Sequence, residues 1–119
     1  MAANQYKLDN LVAIIDRNRL QISGTTEEVM AIEDIYQRWT ALGWDVIHMN
    51  GDDIEDIVNC FSEIDFESKR PHLLISHTTK GKGVSYMENV TKWHHGVPNQ
   101  EEFDLAIKEI SERIATLEK

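Results

Sequence analysis

The chain has 119 residues, of which 41% are hydrophobic and 28% are charged, and its formal net charge is −9. This length suits one domain of a soluble globular protein, and the negative charge disfavours nucleic acid and anionic membranes as partners. The only cysteine, Cys60, cannot form an intrachain disulfide, and no apolar run approaches the roughly 20 residues of a membrane helix, so a cytoplasmic protein is predicted.

The first half of the chain predicts two strands with a helix between them. Residues 11–15 form a continuous apolar run, which suits a strand covered on both faces. Thr25 to Glu28 has the pattern of a capping box, and apolar residues then recur at helical spacing until Gly43. A helix is therefore predicted over 26–42, followed by a strand over the apolar run 44–49.

The second half predicts a helix over 52–64 behind an Asp-type cap, a strand over 73–76, a long loop, and a helix over 99–118 behind Asn99. Alternating strands and helices predict an α/β fold whose parallel sheet lies between helical layers. Three strands are fewer than the about five or six of most sheets. The chain is therefore expected to be part of a larger sheet, with exposed apolar surface that makes it a homo-oligomer.

Polar residues follow each predicted strand, at the edge where open α/β sheets bind ligands. Asn18 follows the first strand, and its amide oxygen suits Mg²⁺ or Ca²⁺. Magnesium normally needs a carboxylate as well, and Asp16 need not face the same way along an extended strand. Ordinary solvated turns remain the alternative for these stretches.

Two further stretches could bind an anion. The stretch "TTKGKGV", residues 78–84, has two glycines around Lys82 but lacks the spacing of a P-loop. His94 and His95 are adjacent and make a poor metal pair, although a histidine on a glycine-hinged loop could reach a phosphate or a substrate oxygen. A flexible turn and ordinary packing are the alternatives, and the three other candidates are interpreted as structural: His48, His72 and Cys60.

Two long stretches resemble the thiamine-diphosphate-binding domain of transketolase, in the form found as a separate N-terminal subunit. They are "YKLDNLVAIIDRNRLQISGTTEEVM" and "HTTKGKGVSYMENVTKWHHGVPNQEEFDLAI", and the resemblance covers nearly the whole chain. It implies that Asn18 is the amide ligand of Mg²⁺ (or Ca²⁺) and that Leu20 donates a backbone carbonyl to the same ion.

The resemblance also implies contacts with thiamine diphosphate. Ile22 would pack against the rings of the cofactor, and Lys80 and Gly81 would belong to a loop that binds it. His95 would act near the diphosphate and the substrate, as a catalytic residue. The glutamate that activates the cofactor would come from a partner domain, so no glutamate of this chain takes that role.

One family motif is absent from the sequence. A Gly-Asp-Gly motif supplies the aspartate ligand of the metal in that family, and residues 1–119 do not contain it. The chain is therefore expected to be the C-terminal half of the domain, lacking the upstream Gly-Asp-Gly segment, as a truncated product or a small stand-alone reading frame.

The implied activity is the transfer of a two-carbon ketol unit between sugar phosphates, in the pentose phosphate pathway. The implied partner is a C-terminal transketolase subunit. The isolated chain is expected to be inactive and to bind cofactor weakly. Two alternatives remain open: a relative of 1-deoxyxylulose-5-phosphate synthase, or a non-catalytic remnant that serves as an interaction module.

Overall fold

The computed structural model describes residues 1–117. Their strands, in chain order, are β1 (Val12–Arg17), β2 (Leu20–Gln21), β3 (Gly24–Thr25), β4 (Asp45–Asn50) and β5 (His72–His77). The helices are α1 (Ala2–Gln5), α2 (Thr26–Met30), α3 (Ile35–Ala41), α4 (Ile54–Ser62) and α5 (Gln100–Leu117), with a 3₁₀ turn at Thr91–His94. No helix among these residues is long and apolar enough to cross a membrane.

The main sheet is parallel, and its order β1-β5-β4 places the last of its three strands in the centre. The side chains of Leu73 and Leu74 in β5 are completely buried, whereas Ile14 on the edge strand β1 is 55% exposed. The predicted strands at 11–15, 44–49 and 73–76 are confirmed, with ends that differ by one or two residues. β2 and β3 form a separate antiparallel pair.

Each face of the sheet packs against one helix, because side chains of a strand alternate between the two faces. On one face Leu73 and Ile75 pack with Ile35 of α3. On the other face Leu74 packs with Met49 and with Cys60 of α4. This arrangement confirms the predicted α/β fold with a parallel sheet between helical layers.

The predicted continuous helix over 26–42 is wrong in its middle. The chain forms α2 and α3, and residues 31–34 between them are not helical. Asp34 starts a new helix by accepting a hydrogen bond from the N–H of Gln37 at 3.1 Å. The capping box of Thr25 and Glu28 is confirmed, and so is the helix end before Gly43, whose φ is +82°.

The last two helices largely match their predictions. α4 is two residues shorter at each end than the predicted 52–64. α5 begins after Asn99, whose Oδ1 accepts from the N–H of Glu102 at 2.9 Å, and residue 118 of the predicted 99–118 lies outside the described residues. α5 rests on the loop that precedes it, where the Tyr86 hydroxyl donates to the carbonyl of Glu102 at 2.8 Å.

Large apolar side chains remain exposed on β1 and α4. Ile14, Ile54 and Val58 are 55%, 76% and 61% exposed. The radius of gyration is 17.9 Å, against about 13–14 Å for a compact domain of this length. Residues 1–117 therefore expose a large apolar surface, as the sequence predicts.

Candidate functional site

The carboxyl ends of the parallel strands carry a cavity of about 210 Å³, which we call the Asn18 cavity. Two chain segments form it: the first segment, residues 18–34, follows β1, and the second segment, residues 78–99, follows β5. Its lining brings together four of the residues implied by the sequence, along with three others: Asn18, Leu20, Gln21, Ile22, Lys80, Thr91 and His94.

Asn18 occupies a tight turn at the carboxyl end of β1. Its Oδ1 accepts a hydrogen bond from the N–H of Leu20 at 2.9 Å, which fixes the direction of the amide. An amide oxygen has two lone pairs, so one remains for a cation. The Asn18 amide and the Leu20 carbonyl are hard oxygen donors, which fit Mg²⁺ or Ca²⁺.

The carboxylate of Asp16 is not among the side chains that line the Asn18 cavity. Its Oδ1 accepts from the hydroxyl of Thr78 at 2.5 Å, on the neighbouring strand end. Among the described residues, no group of three or more His, Cys, Asp or Glu side chains could hold a metal. The metal ligands predicted at Asn18 and Leu20 therefore stay predictions.

Arg17 attaches the first segment to the sheet. Its side chain is buried and donates hydrogen bonds to the Thr26 hydroxyl at 2.8 Å, to Glu27 at 2.7 Å and to Glu33. The bond from Arg17 lowers the pKa of Glu33. None of the five residues of α2, all of which the structure describes, is buried. The hydrogen bonds from Arg17 therefore hold α2, while Ile32 at the end of the first segment packs against the core cluster.

The second segment turns sharply at Gly81. Its φ is +78°, and a Cβ there would lie 2.6 Å from the carbonyl oxygen of Met87. The N–H of Asn89 closes the loop by donating to the carbonyl of Lys80 at 2.9 Å. The conformation of the backbone at residue 81 therefore requires glycine. The cofactor contact predicted for Gly81 stays a prediction.

The two adjacent histidines occupy different places. Both are exposed, but His94 lines the Asn18 cavity and His95 does not, and their ring centroids lie 4.4 Å apart. The structure thus brings His94 together with Asn18 and Lys80. The catalytic role that the sequence implies for His95 stays a prediction.

A second cavity, of about 280 Å³, holds a ring stack that the sequence did not indicate. His48 Nδ1 and His77 Nε2 lie 2.9 Å apart, and Tyr36 stacks on His48 with ring centroids 5.5 Å apart. Burial lowers the pKa of His77, helped by the charges of His48, Arg19 and Arg17. The sequence alone indicates a structural role for His48, and only the pairing of β4 with β5 reveals its contact with His77.

The other two residues interpreted as structural lie in the core. His72 is buried, with Phe66 against its ring at a centroid distance of 5.8 Å. Cys60 is also buried, and burial is the main cause of the raised pKa of its thiol. A thiol with a raised pKa is a poor nucleophile.

The chain is similar to known proteins over nearly its whole length. A family profile described as "Transketolase, thiamine diphosphate binding domain" matches residues 1–113. An apulose-4-phosphate transketolase subunit of Phocaeicola vulgatus is 71% identical over the whole chain and 42% of its own length. The "6-deoxy-6-sulfo-D-fructose transketolase subunit SqwG" of Clostridium sp. is 31% identical over 92% of the chain and 40% of its own length. The chain thus spans about two fifths of these relatives.

Solved structures agree with these matches. A transketolase from Campylobacter jejuni superposes with a TM-score of 0.81 at 32% identity, covering 92% of this chain and 17% of that one. A transketolase from Leishmania mexicana gives a TM-score of 0.65 at 22% identity, covering 97% of this chain and 20% of that one, and this likeness concerns the fold alone.

Proposed function

We propose a function on the premise that the chain belongs to the transketolase family, in its thiamine-diphosphate-binding domain. We infer that residues 1–119 form the C-terminal half of that domain in a two-subunit enzyme that transfers two-carbon ketol units between sugar phosphates. The observation that carries this proposal is the convergence of Asn18, Leu20, Ile22 and Lys80 on one cavity.

The cavity residues have the chemistry to hold a metal-bound diphosphate. Asn18 Oδ1 and the Leu20 carbonyl would bind Mg²⁺, and the ammonium of Lys80 would offset phosphate charge. Ile22, which is 62% exposed, offers apolar surface to the rings of the cofactor. The carboxylate ligand would come from the part of the domain that contains the Gly-Asp-Gly motif.

The chemistry of ketol transfer requires a cofactor and a second domain. Bound thiamine diphosphate supplies the nucleophilic carbon of the reaction. His94 would donate a hydrogen bond to the diphosphate, and His95 would hold or move a proton at an oxygen of the substrate. A second polypeptide would complete the site, because the relatives from Phocaeicola vulgatus and Actinobacillus succinogenes are each named as one subunit of a transketolase.

The 71% identity makes apulose 4-phosphate the first substrate to test. The matching region of the Phocaeicola vulgatus protein would be replaced by this chain, and the hybrid assayed with its partner subunit. We expect ketol transfer, and we expect Asn18→Ala to weaken Mg²⁺-dependent cofactor binding about tenfold, which is about 1.4 kcal/mol. Gln21→Ala is the matched control, because Gln21 lines the same cavity with an amide but has no assigned role.

Two results would contradict this proposal. A folded hybrid without ketol transfer would refute the activity, and equal cofactor binding in Asn18→Ala and Gln21→Ala would refute the metal ligand. For the isolated chain, calorimetry with Mg²⁺ and thiamine diphosphate should give a dissociation constant no better than roughly millimolar, about −4 kcal/mol. Micromolar Mg²⁺-dependent binding would mean that the donors in residues 1–117 suffice to bind the metal and the cofactor.

A further inference from the structure

Arg17 closes a small ring of contacts around the turn that carries Asn18 and Leu20. Its side chain is only 3% exposed, and the guanidinium donates a hydrogen bond to the Thr26 hydroxyl at 2.8 Å. The backbone N–H of Thr26 donates in turn to the carbonyl of Arg19 at 3.0 Å. These contacts return the chain to the residue between the two predicted metal donors, so the turn is held from both sides.

The turn has a further fixed contact inside this ring. The Leu20 N–H donates to Asn18 Oδ1 at 2.9 Å, so the direction of the Asn18 amide follows the backbone of Leu20. Leu20 also pairs with Thr25 between β2 and β3, directly before the residue that Arg17 binds. A movement of Thr26 is therefore transmitted to both predicted metal donors, the Asn18 amide oxygen and the Leu20 carbonyl.

Arg17 also joins the ring to the rest of the first segment. It donates to Glu27 of α2 at 2.7 Å and to Glu33, whose backbone carbonyl accepts from Arg38 at 2.8 Å. Ile32 packs against the core cluster and holds the far end of the segment. None of the residues of α2 is buried, so the near end depends on the hydrogen bonds from Arg17 rather than on apolar packing.

We propose that Arg17 is a positioning residue: it orients the Asn18 amide and the Leu20 carbonyl toward a bound metal without touching the metal or the cofactor. This role rests on the proposed function, because it matters only if the Asn18 cavity binds the metal. Arg17 does not line that cavity, and two carboxylates already balance its charge, so it offers little attraction to a diphosphate. Its planar guanidinium instead binds three acceptors in fixed directions, which the single ammonium of a lysine does not do.

A positioning role predicts a loss of affinity without a loss of turnover. A turn released from Arg17 presents both donors in the binding arrangement for only a fraction of the time. The apparent dissociation constant of the metal-bound cofactor then rises by the inverse of that fraction. Saturating metal and cofactor restore the arrangement, because they bind the ordered turn and not the released one. Turnover at saturation should therefore stay close to that of the unsubstituted enzyme.

Substitutions in the hybrid enzyme described above test this role by calorimetry with Mg²⁺ and thiamine diphosphate. Arg17→Met removes all the contacts, and we expect cofactor binding to weaken about tenfold while kcat at saturating cofactor stays within about twofold. Thr26→Val removes only the hydroxyl that joins Arg17 to the turn, and we expect binding about threefold weaker. Arg17→Lys keeps the charge without the fork of donors and should recover only part of the loss.

Arg70→Met is the matched control for the loss of a charged side chain. Arg70 pairs with Asp45 at 3.1 Å but is 60% exposed and lies outside the first segment. We expect this variant to bind cofactor like the unsubstituted hybrid. Far-UV circular dichroism checks that every variant keeps its helices.

Hydrogen exchange of the chain alone tests the same role without metal or cofactor. We expect Arg17→Met and Thr26→Val to speed exchange at the N–H of Leu20, which donates to Asn18, by about threefold or more. The N–H of Asn89, which closes the loop of the second segment, should exchange at the same rate in all variants.

The possible failures are distinguishable. An unsubstituted hybrid that binds no cofactor would overturn the proposed function and the role of Arg17 together. If that hybrid binds cofactor and Arg17→Met and Thr26→Val bind it equally well, only the role of Arg17 is overturned. Unchanged exchange at Leu20, or an equal loss of affinity in Arg70→Met, would overturn it too. A fall in kcat at saturating cofactor larger than the loss of affinity would place Arg17 at the reacting atoms instead.

Discussion

The first segment and the second segment deliver side chains to the same cavity, but different forces hold them in place. The first segment is tied to the sheet by the buried guanidinium of Arg17 and its carboxylate partners. Within the second segment the rings of Tyr86 and Trp93 meet edge to face at 5.1 Å and the indole N–H donates to the Tyr86 carbonyl at 3.0 Å, and the Tyr86 hydroxyl joins the segment to α5 by donating to the carbonyl of Glu102 at 2.8 Å. We therefore expect the first segment to be disturbed most by changes in charge, and the second segment by changes in packing.

The largest effect should come from Gly81→Ala in the second segment. The new Cβ would require both a left-handed φ and a shift of the Met87 carbonyl, so we expect the loop to lose about 3 kcal/mol of local stability. Hydrogen exchange should speed up at the N–H groups of Val84 and Asn89, which close the turn. Equally fast exchange in the first segment would show that the two segments are not held independently.

Arg17→Met should have the next largest effect, confined to the first segment. It removes charge-assisted hydrogen bonds from a buried side chain, and we expect a loss of about 2 kcal/mol in urea unfolding or local exchange. Arg70→Met is the matched control, because Arg70 pairs with Asp45 at 3.1 Å but is 60% exposed and should contribute little. Similar losses from both variants would mean that burial of Arg17 is not what anchors the segment.

Substitutions of the two histidines in the second segment separate a role in turnover from a role in cofactor binding. In the complete enzyme we expect His95→Ala to lower turnover about tenfold, about 1.4 kcal/mol in the barrier. We expect His94→Ala to act mainly on the affinity for cofactor, because His94 lines the Asn18 cavity. Steady-state kinetics at limiting and saturating cofactor separate the two. The reverse pattern would exchange their roles.

The smallest effect should be a dependence of stability on pH through His77. Its pKa is lowered in the folded state, chiefly by burial, so below about pH 6.5 the unfolded chain binds the proton more readily. Stability should therefore fall as the pH drops from about 6.5 towards the folded pKa of His77. Thermal melts across this range should show a shallower fall for His77→Gln than for the wild type. An unchanged slope would assign the dependence to other groups.

The sequence by itself determined the three strands of the main sheet and several helix ends. Continuous apolar runs predicted the parallel strands, because a strand covered on both faces needs apolar side chains on both. The capping boxes at Thr25 and Asn99 predicted helix starts, because they satisfy N–H groups that lie within three residues of the cap. The resemblance to a family then pointed to Asn18, Leu20, Ile22 and Lys80, which meet at one cavity.

Only the tertiary structure decided what depends on residues far apart in the chain. It placed β5 between β1 and β4, which brought His48 beside His77. It divided the predicted helix 26–42 in two, and it buried Arg17 among side chains of the first segment. Periodicity and capping are encoded within a few residues, whereas strand order, ion pairs and burial arise from contacts between segments that no local pattern records.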